Sequence, residues 1–281
     1  MAPIPISSRF SPQFGFTLVQ WLAVLALAAA GFWAALDAGI SWDEESEALT
    51  LAINIKAIAG LLNGNTAPYA LLEQFHDRYY GVGFQLPAWA LLQVMGSIFP
   101  RSWLVPFSFQ SPANTLIPLH LLVFLLFLLS GYLVKWSVAL LTDDRYLPFL
   151  AMLAYLLWPY LFGHALMNVK DIPFLFAWLL CTYLVLRLGH VMLAGGAHKH
   201  PDANHLTWRQ ALILGLATGW LISIRISGVL IALEYIVFVL AYAWVWKVSW
   251  RRVSPVFGLL RFSLIVLVTA CLTLYLLYPI A

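Results

Sequence analysis

Four carboxylates, Asp43, Glu44, Glu45 and Glu47, fall within five positions in the string WDEESE, directly after the first long apolar run. Crowded acids repel one another, which raises the pKa of some members and favours a nearby cation. Those are the properties of a general base or a metal ligand. A solvated acidic loop accounts for the same composition, although acidic residues contribute little to membrane orientation. A second string, GHALMNVKDIPF at 163–174, brings His164, Asn168, Lys170 and Asp171 within eight positions between two apolar runs. Pro173 suits the first turn of a following helix, and Asn168 or Asp171 can cap that helix. A cap explains one polar residue and not four. Arg225 stands third, flanked by apolar sequence. An arginine at a membrane edge can snorkel to headgroups, whereas ionisable residues within a membrane usually face a bundle interior or cavity and mark a substrate path. Glu234, about two helical turns further on, is a candidate internal partner for Arg225.

The elements that must position these residues are membrane spans. The 281-residue chain is 63% hydrophobic and only 10% charged, with a mean hydropathy of +0.87, well above soluble domains. A hydrocarbon core of about 30 Å takes about 20 apolar residues in helix to cross. Seven segments are expected to cross: 16–36, 116–141, 146–162, 173–193, 208–224, 229–246 and 262–280. The fold class is therefore an all-α integral membrane protein of about seven transmembrane helices. The segment 84–99, with Gln85, Pro87 and Gln93, rises only about 24 Å as a helix, and its status decides the topology.

Lysine and arginine are retained on the cytoplasmic side of short loops. If 84–99 does not cross and the N-terminus is inside, Arg9, Lys135, Arg145, Arg187, Lys199, Arg209, Lys247, Arg251, Arg252 and Arg261 are inside, ten against five outside. If it crosses, the balance inverts to four against eleven. The first arrangement is the expected one. It makes 37–115 one large extracytoplasmic loop with amphipathic stretches lying along the membrane surface, 163–172 a second such loop, and 194–207 a cytoplasmic loop, all within a single domain, 1–281. Asp43, Glu44, Lys170, Asp171 and Arg225 then share one membrane face. A tight turn near Gly228 is expected to separate the fifth and sixth spans.

Other features carry less. Thirteen Trp, twelve Tyr and eighteen Phe fit rings that settle at the headgroup level, not base stacking, and a net charge of +3 segregated by membrane side gives no reason to invoke nucleic acid. Cys181 and Cys271 sit in apolar runs, where a thiol behaves as a small hydrophobe. His198, His200 and His205 form a His-rich tract able to bind metal, but only Asp202 stands by to complete a site, so a solvated linker is the reading.

WDEE after the first span, HALMNVKDIPF opening the fourth, and GLATGWLISIRISG leading into the sixth resemble bacterial GT-C glycosyltransferases of the family 39 and aminoarabinose transferase group. The resemblance runs the whole chain in order and spacing. It implies a GT-C-like fold in the bacterial inner (plasma) membrane, with the active site facing the periplasm. It also implies a polyprenyl-phosphate-linked sugar donor, a hydroxyl acceptor of unknown kind, and inversion at the anomeric carbon. Carried over by position, Asp43 is the candidate catalytic base, Glu44 stands beside it, and Asp171 is the second catalytic acid. Lys170 and Arg225 match positions near the donor phosphate, with His164 and Asn168 as further substrate-binding candidates. A divalent cation (Mg, Mn or Zn) held by Asp43 and Asp171 is the candidate cofactor. Relatives often carry a Glu-Lys-Pro-Pro or His-Pro-Pro string late in the first loop, where this chain reads HDRYYGVGFQLPAW, leaving His76, Asp77 and Arg78 as substitutes. Relatives also continue past seven spans, so a chain stopping at LYPIA is expected to be a fragment, a shortened member or half of a functional unit. The competing classes are a lipid-substrate transporter or flippase, which predicts broken helices and charges near the bilayer midplane, and a non-catalytic membrane subunit.

Overall fold

The computed structural model describes residues 12–39, 41–98, 112–194, 206–245 and 253–278. Arg9, Arg101, Lys199, Lys247, Arg251, Arg252 and the three histidines of the linker lie outside them. The described residues form helices and connecting turns, with no strand among them. In chain order the helices are α1 (Pro12–Asp37), α2 (Glu44–Leu62), α3 (Ala67–Gln74), α4 (Gln85–Ile98), α5 (Pro112–Ala139), α6 (Leu147–Leu156), α7 (Pro159–Ala165), α8 (Asp171–Ala194), α9 (Trp208–Ile224), α10 (Ile231–Val245) and α11 (Val253–Leu277), with a 3-10 turn at Ile226–Leu230 before α10.

Four of these, α1, α5, α8 and α11, are long and apolar enough to cross a membrane. Helix is the only open-ended structure that satisfies every backbone N–H and C=O internally when water is absent. The segment expected as one span at 146–162 is instead two helices, α6 and α7, bent by 63° at their junction. Pro159 at the start of α7 has no N–H for the helical ladder and disfavours helix at Trp158, which is extended at ψ 113°. If that pair is one span, the count becomes five. Helices α9 and α10 form where expected, and at 17 and 15 residues they stand at or just under the short end of the usual span length. The 14-residue α4 rises about 21 Å, short of the hydrocarbon core.

Helix α5 is the centre of the packing. Phe124 and Phe127 are completely buried, with Phe32 of α1 edge-on to Phe124 at 5.2 Å, Phe162 of α7 at 5.8 Å and Tyr155 of α6 stacked on Phe127 at 5.4 Å. Helix α9 packs most closely on α11, because Gly215 and Gly219, one turn apart, leave no room for a Cβ against Thr269, Ala270 and Thr273. Small residues four apart let two backbones approach, which is how helices associate where lipid removes the hydrophobic drive.

Contacts between helix ends show that directions alternate. At one end Lys135 of α5 donates to Gln20 of α1 at 3.3 Å. At the other, His120 near the start of α5 meets the start of α2, and Tyr278, just past α11, donates to the carbonyl of Arg78 at 3.3 Å. Gly39, at φ 68°, turns the chain from α1 back toward α2 in a conformation a side chain would resist. Between α5 and α6, the Asp144 carboxylate accepts the N–H groups of Tyr146 and Leu147 at 2.7 and 2.9 Å, and these bonds hold its pKa below the usual carboxylate value.

Candidate functional site

The charged residues singled out in the sequence meet at the end of the bundle where α2, α8 and α9 converge. Lys170 at the head of α8 donates to Glu47 at 2.5 Å, and its ammonium lies 3.5 Å from the centre of the Tyr80 ring. The two side chains of this ion pair are only 14% and 12% exposed, so both charges are largely desolvated and each depends on the other. Glu47 accepts a further bond from Gln85 at the start of α4, at 2.7 Å.

Asp171, the next residue, pairs with Arg225. One carboxylate oxygen takes the guanidinium and the other takes the Asn168 amide at 3.1 Å. These side chains are 47% and 39% exposed. An open pair of this kind contributes about 0–1 kcal/mol, so it adds little to stability. Arg225 sits between α9 and the 3-10 turn with extended backbone, φ −147° and ψ 133°, its N–H bonded to the Leu221 carbonyl and its carbonyl to the Gly228 N–H. Glu234 is not its partner: that carboxylate accepts the indole N–H of Trp178 at 2.8 Å, because Glu234 faces α8.

Asn168 sets the orientation of the whole corner. Its carbonyl oxygen accepts the backbone N–H groups of Lys170 and Asp171 at 3.1 and 2.7 Å, which fixes which end of the amide is which. Its NH₂ therefore faces both Asp171 and the Nδ1 of His164, the latter at 2.9 Å. A donor there requires a lone pair on His164 Nδ1, so the imidazole carries its proton on Nε2. Tyr160 packs against the same ring, 4.5 Å between centroids. Nitrogen-15 NMR of histidine-labelled protein at neutral pH is expected to show the Nε2–H tautomer for His164, and Asn168→Leu to release that preference. An Nδ1–H tautomer in the wild type would contradict the amide's orientation.

The loop before α4 is held onto the end of α9. The N–H of Gly83 donates to the carbonyl of Ser223 at 3.0 Å, and Trp220 donates its indole N–H to the carbonyl of Gly83 at 2.8 Å. A Cβ on Gly83 or Gly81 would overlap Ser223. This seam carries Tyr80 and Gln85 to Lys170 and Glu47. Gly83→Ala is accordingly expected to destabilise the protein by about 1–3 kcal/mol through overpacking, read as a lower melting temperature in detergent; an unchanged melting temperature would mean that the loop is not seated on Ser223.

The acids of WDEESE separate. Asp43 is exposed at the N-cap of α2 and makes no side-chain cap bond. Glu44, expected beside it as a second catalytic carboxylate, is 1% exposed and accepts from His120 at 2.7 Å and from the N–H of Ser41 at 2.9 Å. It is turned inward because α5 offers a buried partner, and it does not face the open site. Asp77 accepts from Ser46 at 3.1 Å and pairs with His76 at 2.9 Å, while Arg78 donates to Tyr79 at 2.8 Å.

Glu47 was read from the sequence only as one of four clustered acids, and Gln85 and His120 were not singled out as site residues. His120 had a usable signal, a lone ionisable residue in an apolar run. Of the two residues expected to hold a cation, Asp43 is exposed and Asp171 has its oxygens on Arg225 and Asn168. Among the described residues, no three His, Cys, Asp or Glu side chains are grouped to hold a metal ion.

Beside the site, a cavity of about 530 Å³ lies between α8, α9, α10 and α11. Ile226, Val229 and Leu274 line it near Arg225, and Leu188, Leu214 and Phe238 line it further along, so its wall is almost wholly apolar. Compared with known proteins, the chain matches no protein-family model, no curated protein and no solved structure.

Proposed function

We propose that the chain is a GT-C-type membrane glycosyltransferase. It moves a sugar from a polyprenyl-phosphate donor to a hydroxyl acceptor (lipid, glycan or protein) at the extracytoplasmic face of a bacterial plasma membrane. In this reading seven spans place the N-terminus inside, and α2, α3 and α4 belong to one outer loop. The observation that carries it is the exposed, unspent carboxylate of Asp43 at the same bundle end as the Lys170–Glu47 and Arg225–Asp171 pairs, next to an apolar cavity long enough to take part of a lipid chain.

The reaction divides among these groups. Donor phosphate displaces Asp171 from Arg225 and takes the guanidinium fork, which suits a phosphate better than a point charge does. The acceptor hydroxyl attacks the anomeric carbon from the opposite side and inverts it. The new C–O bond forms as the bond from that carbon to the phosphate oxygen breaks. Asp43 takes the hydroxyl proton, and the electron pair leaves with the polyprenyl phosphate, whose charge Arg225 and Lys170 offset. The lipid tail lies in the α8–α11 cavity.

One observation favours a transporter, the 63° break between α6 and α7, since transporters use discontinuous helices. Against it, the ion pairs gather at one end of the bundle, where chemistry on an extracytoplasmic sugar needs them. The test is transfer of labelled sugar from a synthetic polyprenyl-phosphate donor by the purified protein in nanodiscs. Absence of transfer across lipid, glycan and peptide acceptors overturns the enzyme, as does an Asp43→Asn variant with undiminished transfer.

A further inference from the structure

We infer that Glu44 and His120 are a buried positioning pair whose task is to hold Asp43 free and aimed at the acceptor; this rests on the function proposed above. A residue at a helix N-cap usually spends its side chain on the first backbone N–H groups. Asp43 occupies that place on α2 without doing so. Glu44 instead ties the turn ahead of the helix, reaching back with one carboxylate oxygen to the N–H of Ser41 at 2.9 Å. Its other oxygen takes His120 at 2.7 Å.

The anchor is specific. His120 is fully buried on α5, the helix that organises the core. Its Nδ1 has no partner among the described residues, so the bond to Glu44 is the polar contact that gives the ring its orientation. The turn 41–44 is thereby pinned at two points, its own backbone and the central helix, while the side chains of Trp42 and Asp43 point outward. One turn along the same helix, Glu47 is fixed by Lys170 and Gln85. Asp43 and Glu45 carry no such tie among the described residues, and Asp43 is the one that stands in the pinned turn. The motif thus holds an untied carboxylate in the pinned turn, Asp43, and two acids, Glu44 and Glu47, that fix the direction in which it points.

A displacement of about 1 Å caused by a change away from the reacting atoms can cost about 100-fold in rate. The experiment compares wild type, Asp43→Asn, His120→Leu and His120→Gln in nanodiscs. It measures kcat and KM for a polyprenyl-phosphate sugar donor, and hydrogen exchange of the backbone amides at 41–47. His120→Leu is expected to lower kcat by up to about 100-fold with the donor KM unchanged, and to speed exchange at 41–47 while leaving the start of α8 as it was. His120→Gln, whose amide still donates to Glu44, is expected to recover most of both. If Asp43→Asn is inactive but His120→Leu turns over like wild type per folded molecule, the pair does not position the base, and the function stands. If the wild type transfers nothing, the function falls, and the exchange data then judge the pair alone: unchanged exchange at 41–47 in His120→Leu overturns it.

Discussion

Asp43→Asn is expected to lower turnover by about 10²–10⁴-fold, the usual contribution of a general base, with the fold intact. The two parts of that expectation have separate causes. Asn and Asp are near-equal at an N-cap, and Asp43 makes no side-chain cap bond to lose, so the melting temperature should hold. What disappears is the acceptor for the hydroxyl proton, since an amide oxygen is a far weaker base than a carboxylate. Single-turnover transfer with saturating donor isolates that step from binding. A fall in donor affinity with unchanged turnover would place Asp43 in binding, and equal loss of folded protein and activity would place it in structure.

Lys170→Met is expected to destabilise the protein by about 3–5 kcal/mol, the range for removing one member of a desolvated ion pair. Its partner Glu47 would remain largely buried with Gln85 as its other side-chain donor. The cost is that of the stranded carboxylate more than of the lost attraction, so the double variant Lys170→Met, Glu47→Gln should regain most of it. Glu47→Gln alone should cost less, because the ammonium keeps the Tyr80 ring, a contact worth about 0.5–2 kcal/mol. Denaturant unfolding of the four proteins in one detergent gives the coupling directly. Strictly additive effects would show that the two side chains do not share a buried bond.

Three parts of the candidate corner are adjacent in sequence, and for that reason they were legible. Asn168, Lys170 and Asp171 lie within one turn, so any fold that starts a helix there brings them together. Arg225 was legible by parity, since alternating helices must put its loop at the same end as 163–172. Glu47, Gln85 and His120 are different. Their bonds join residues 38 to 123 positions apart, and which acid meets which partner depends on the rotation of each helix about its axis. In helices apolar on every side, sequence periodicity barely marks the inward face. The direction of Glu44 turned on that point, as the helix faces it toward α5 and leaves Asp43 outside.

The break at Trp158 follows a related logic. Pro159 announces that a helix is interrupted, but the 63° bend reflects how α7 packs against α5 and α8, which no local pattern encodes. By itself the sequence determined that the chain is helical, with several helices long and apolar enough to cross a membrane, because run length and the need to satisfy backbone groups in hydrocarbon are local requirements. Only the tertiary structure decided which carboxylate is buried, which is paired and which is left free, because burial and pairing are set by what the neighbouring helices present across the gap.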